Sequence, residues 1–178
     1  MTTDQPTPKP RLWTEAGFIA DEWVHAEDAG VLAGENRRII LPLAAWLALD
    51  AETRRRAGDR LGVLVAPGEA LDPIVPYLDE LPLVALAFPA FNDGRSFSKA
   101  ELLRRRHGYK GTVRATGEVL IDQIPHMLRT GFDAFEVSNP TALARLESGR
   151  RGGLPLHYQP TARPAPATGS FAWRRKAG

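Results

Sequence analysis

The chain has 178 residues, 43% of them hydrophobic and 25% charged, which suits one globular domain with a single core and ragged ends. The formal net charge is only +2, and the lack of any cysteine excludes disulfides, thiolate metal sites, cysteine-ligated iron–sulfur clusters and a cysteine nucleophile. Lysine occurs only at Lys9, Lys99, Lys110 and Lys176, so the other 19 of the 23 basic residues are arginine, the better residue for bidentate contacts to oxyanions.

Met1 to Arg11, rich in Pro and Thr, is expected to be a disordered tail. It carries no apolar signal core, and no run in the chain approaches membrane-spanning length, so a cytoplasmic protein is expected. The domain is expected to run from residue 12 to 149. Phe18-Ile19-Ala20 and Trp23-Val24 read as short strands or as a clasp over the core. Ile39 to Leu41 leads into Pro42, and Leu43, Trp46 and Leu47 have the spacing of an amphipathic helix continuing to about Arg56, with Gly58 as its stop.

Leu61 to Val65 reads as a buried strand, followed by a helix over 73–81 capped by Asp72. Leu83 to Phe88 is the next strand. Ser98 and Glu101 form a Ser-x-x-Glu capping box with Phe97 and Leu102 as its staple, which predicts a helix from Ser98 to Gly108. Thr112 to Thr116 is a third buried run. Leu120, Ile124, Met127 and Leu128 share one helical face, and Pro125 kinks that helix or moves its regular part downstream. Gly131 ends the helix, Asp133 to Val137 is a fourth strand, and Thr141 to Glu147 is a last short helix. This alternation predicts an α/β fold, a four- to five-stranded mostly parallel sheet with right-handed helical crossovers, either an open layered sheet or half of a β/α barrel. Residues 150–178, rich in Arg, Gly and Pro, read as a mobile tail.

Ligands of parallel α/β folds sit at the carboxyl ends of the strands. Asp93-Gly94-Arg95, Gly117 with Glu118, and Ser138 with Asn139 all follow strands, so they are expected on one rim. A helix start at Ser98 would turn free N–H groups to that rim, and Arg95 would add a fork of donors, which together favour a small anion. Arg114 interrupts an apolar strand and needs a carboxylate partner, with Asp122, Asp93 and Glu118 as the candidates. The plain alternatives are an Arg114–Asp122 pair that fixes a turn and an ordinary Asp-Gly turn at residues 93–94. Arg104, Arg105 and Arg106 fall in a last helical turn, where cations complement the dipole.

No phosphate loop, dinucleotide fingerprint, nucleophile elbow or metal-ligand histidine spacing is present, which argues against a Rossmann-type NAD or FAD site and a histidine metal site and leaves the cofactor open. The cluster Trp173-Arg174-Arg175-Lys176 is read as a solvated tail rather than a nucleic-acid site.

The stretch from Phe91 to Val137 resembles the signature of the bacterial domain of unknown function 934. The matching residues are Phe91, Asp93, Gly94, Arg95 and Ser98; Leu103 and Arg104; Arg114, Ala115 and Gly117; Asp122 and Gln123; and Gly131, Phe132 and Asp133. A weaker likeness reaches back to Ile40–Leu43 and Trp46–Ala48. The resemblance implies a role beside sulfite reduction and a label of oxidoreductase, and it supplies no catalytic residue. Two expectations follow: a protein that binds a small sulfur oxyanion at the rim, or a non-catalytic accessory subunit that docks to components of a sulfite reductase system.

Overall fold

The computed structural model describes residues 9–30, 37–90, 92–150 and 152. The four expected strands are present and parallel in one sheet: β5 (Leu61–Val65), β6 (Leu83–Phe88), β7 (Thr112–Gly117) and β8 (Ala134–Val137). The sheet, however, has eight strands rather than four or five, in the order β2-β1-β8-β7-β6-β5-β4-β3. The additions are β1 (Arg11–Thr14), β2 (Gly17–Ile19), β3 (Trp23–His25) and β4 (Arg38–Pro42). β1 lies antiparallel between β8 and β2, while β3 and β4 extend the parallel part. The first three strands are short and lack a clean apolar alternation, so pairing with neighbours, not local propensity, makes them strands. Arg11, placed by composition at the end of the tail, is the first residue of β1.

The helices connect the parallel strands in sequence. α1 (Leu43–Ala48) and α2 (Ala51–Ala57) replace the single helix expected over this stretch, because the backbone turns extended at Leu49 and Asp50 restarts it. Asp50 is a side-chain cap, accepting from the Thr53 N–H at 2.8 Å. A 3₁₀ segment, Asp72–Tyr77, stands where a helix from Pro73 was expected. Pro73 and Pro76 remove two N–H donors in four residues, and Asp72 makes no capping bond. α3 (Arg95–Glu101) continues as a π-turn to Arg106, α4 (Ile124–Thr130) takes Pro125 into its first turn and so needs no kink, and α5 is Pro140–Glu147.

Strands β4 to β8 are neighbours in chain order, so every right-handed crossover falls on the same face. That face carries the main core: Val63, Val65, Leu86, Phe88, Val113, Phe135 and Val137 pack against Trp46, Ile74, Leu103, Ile124 and Met127. The opposite face is curled inward. β3 and β8 are five strand spacings apart, about 24 Å on a flat sheet, yet His25 Nε2 lies 2.8 Å from Glu136 Oε1. The outermost strands β2 and β3 are joined by Ala20–Glu22 alone, a link of at most about 14 Å, where a flat sheet would need about 34 Å. The sheet therefore rolls toward a barrel with a seam between β2 and β3. Inside it, Ile40, Leu83 and Ala85 form a small second core under Trp23 and Leu64.

Candidate functional site

The expected rim separates into parts with different jobs. α3 starts at Arg95, behind Gly94, with no side-chain cap. Ser96, not Ser98, anchors the turn: it is fully buried and donates to the Ala87 carbonyl at 2.6 Å. Ser98 is exposed, Glu101 accepts from Arg105 at 2.7 Å, and Phe97 packs on Phe88, so neither the capping box nor its staple forms. The Arg95 fork is spent within its own turn. Its Nε and Nη2 donate to Asp93 at 2.9 and 2.7 Å, and this hydrogen bonding holds the Asp93 carboxyl below its ordinary value. Arg95 lies 64% exposed. Phe91 lies outside the described residues.

Gly117 closes β7 at φ +93°, and an added Cβ would stand 2.4 Å from the Phe88 carbonyl oxygen. That oxygen also accepts the Glu118 N–H at 2.7 Å, so Gly117 is a splice between strand ends. Asp122 is exposed and does not pair with Arg114, and Gln123 caps α4 through backbone bonds alone. Asn139 caps α5, accepting from Ala142 N–H at 3.0 Å.

Arg104 sits at the other end of the sheet. It donates to the carbonyls of Gly131, Tyr109 and Gly111 at 2.7 to 2.9 Å and pairs with Asp133, which itself accepts the Val113 N–H. Gly131 leaves room for it, since a Cβ there would meet Arg104 Cγ at 2.4 Å. This clamp ties the helix to the amino ends of β7 and β8, the end of a parallel α/β sheet that serves stability.

Arg114 faces the concave side, only 2% exposed. Its neighbours across the ladders are Ala85 and Ala134, whose small side chains leave space for a guanidinium. Its partners are not the three acids weighed from sequence. Nη1 and Nη2 each donate to Asp21 at 3.0 Å, and Nη1 also donates to Glu136 at 3.0 Å. Glu136 Oε2 accepts from Thr116 at 2.6 Å and Oε1 is shared with His25. Burial pushes the Glu136 carboxyl up, but the hydrogen bond and charge of His25, the Thr116 hydroxyl and Arg114 outweigh it and leave it below its usual value. Asp21 lies 93 residues away in sequence and arrives at Arg114 only because the sheet rolls. Glu136 was legible by the same signal as Arg114, a charge inside an apolar strand. Asp21 and His25 carried no local signal.

A cleft of about 660 Å³ opens at the seam over this network. Asp21, His25 and Glu136 lie in its wall with Phe18, Trp23 and the cations Lys9, Arg11 and Arg37. Arg11 pairs with Glu147 and stacks on Phe18 at 4.1 Å. Among the described residues no group of histidine and carboxylate side chains is arranged to hold a metal, and no helix is long and apolar enough to cross a membrane.

A family model described as bacterial protein of unknown function (DUF934) matches residues 62–168, more than half of the chain. No curated protein matches it.

Proposed function

The chain belongs to the bacterial DUF934 family of unknown function, and on that premise we propose that it binds a small oxyanion in the concave cleft rather than at the Arg95 rim. The observation that carries this reading is the charged network of Arg114, Asp21, Glu136 and His25 beside an open cleft. A buried ionic network is a weak source of stability, and its place beside a cleft supports reading it as a binding site. The sign of the cleft supports an anion. Both carboxylates in its wall are engaged by Arg114, and the side chains of Lys9, Arg11 and Arg37 line the same cleft with the half-exposed His25 ring. Walls of one sign attract the opposite ligand. A sulfur oxyanion is the first class to test, because the family resemblance implies sulfite reduction.

Titration calorimetry of sulfite and sulfate tests it. Binding should weaken with rising salt, fall in Arg37→Ala, vanish in His25→Ala and persist in Arg95→Ala. No heat with wild type, or loss in Arg95→Ala with retention in His25→Ala, overturns the proposal.

One observation favours a second reading, the accessory subunit. Ile19 and Val24 are 50% and 40% exposed on the two outer strands, beside Phe18 and Trp23 at the same seam. Exposed apolar residues on open strand edges suit docking of a protein strand. Ile19→Lys and Val24→Lys would then abolish complex formation with a sulfite reductase component and leave sulfite binding intact.

A further inference from the structure

We infer a second ligand site, for a small monocarboxylate on a flat apolar body, in the cleft between α1, α2 and the 3₁₀ segment at the amino end of β5. The cleft encloses about 280 Å³, room for a single ring with a short substituent, and its walls include Trp46, Arg54, Tyr77, Leu61 and Leu81.

Arg54 is its centre. The guanidinium lies 4.7 Å from the Trp46 ring centroid and 4.5 Å from that of Tyr77, and the two rings meet edge to face at 5.3 Å. Stacking on two rings fixes the plane of the fork. Two other arginines of this chain are spent: Arg114 on two carboxylates, Arg104 on three carbonyls and Asp133. Arg54 differs. Among the described residues its side chain makes no hydrogen bond and no ion pair, and its Nε, like that of Arg114, is buried without a partner. The indole N–H of Trp46, a residue 2% exposed, is likewise buried without an acceptor. Arg55 beside it also has no carboxylate partner among the described residues. The Arg54 Nε and the Trp46 N–H are shielded from solvent, so it is the terminal nitrogens of the guanidinium, which no carboxylate among the described residues engages, that match the two oxygens of a carboxylate in the cleft.

Two features narrow the ligand. Leu61, Leu81 and the Tyr77 ring offer an apolar bed, which a bare inorganic anion would leave empty. Glu80 also stands in the wall, exposed to solvent, and its charge opposes a dianion more than a monoanion. The cleft lies at the amino end of the sheet, as its walls hold the first residue of β5 and Leu81 just before β6. It is thus a separate site from the concave cleft, and it stands or falls independently of the oxyanion proposal.

Benzoate is the probe, titrated calorimetrically into the full chain, with benzamide (the same body without the charge) and sulfate (the charge without the body) as comparisons. Saturable heat is expected with benzoate and not with benzamide or sulfate. Arg54→Gln should weaken benzoate at least tenfold, Arg54→Lys should recover part of the loss, and Tyr77→Leu should weaken it by freeing the guanidinium. His25→Ala should leave benzoate binding unchanged, which separates this site from the first. Far-ultraviolet circular dichroism on each variant confirms the fold before titration. No saturable heat in wild type, equal binding of benzamide, or undiminished binding in folded Arg54→Gln or Arg54→Lys overturns the inference.

Discussion

Replacing Arg114 with methionine should be among the most damaging single changes in the chain. Arg114 is 2% exposed and donates three hydrogen bonds, each at 3.0 Å, to Asp21 and Glu136. Methionine fills similar space between Ala85 and Ala134, so cavity formation is a small part of the cost. The larger part is the carboxylate left behind: Glu136 keeps His25 and Thr116 but loses its buried cation, and its side chain is only 9% exposed. Removing one member of a buried pair costs about 3–5 kcal/mol, a large fraction of the roughly 5–15 kcal/mol that holds a domain folded. Asp21, at 30% exposed, can turn to water and should add little. The double variant Arg114→Met with Glu136→Leu removes both buried charges and should regain most of the loss, since an apolar pair can replace a buried ion pair at little or no cost. Urea unfolding, with the slope unchanged, measures each term. Arg114→Met within about 0.5 kcal/mol of wild type, the scatter of a surface change, would refute the reasoning. A double variant no better than the single one would show that the loss comes from packing, not charge.

Other changes test the remaining parts. Gly117→Ala forces a Cβ onto the Phe88 carbonyl at φ +93° and should cost about 1–3 kcal/mol or more in denaturant unfolding. Asp50→Ala removes the acceptor of the Thr53 N–H and should cost about 1 kcal/mol. Ser98→Ala, at an exposed position inside α3, should stay within about 0.5 kcal/mol of wild type in the same assay. The Glu136 carboxyl is held below its ordinary value of 4.5, so the folded state binds its proton less tightly than the unfolded chain. Its contribution is therefore complete above pH 4.5 and is lost as the pH falls through the folded value. Glu136→Gln should flatten the fall of stability below that pH, followed by thermal unfolding across the acid range.

The parallel order of β5 to β8 was legible because buried strands read as apolar runs bounded by turn residues, and helical crossovers follow from their spacing. A position set by one strong local signal, such as Gly131 as a helix stop, was readable for the same reason. Start signals that compete were not. Ser96 and Ser98 both suit the head of a helix, and the carbonyl of Ala87, supplied by the neighbouring strand end, decided for Ser96. The family signature residues were recognisable as a set, yet their sequence could not separate the Arg104–Asp133 clamp from residues free to meet a ligand.

What the sequence by itself determined is the class: an α/β chain with a parallel sheet, and one arginine, Arg114, that had to find a carboxylate. Only the tertiary structure decided which carboxylate, because the answer depends on how far the sheet curls. Three residues between β2 and β3 pull the two ends of an eight-stranded sheet together, and that closure, not any local propensity, carries Asp21 and His25 to Arg114 and Glu136. Local patterns fix which face a residue takes. Contacts between residues 93 and 111 positions apart are fixed by the roll of the whole sheet.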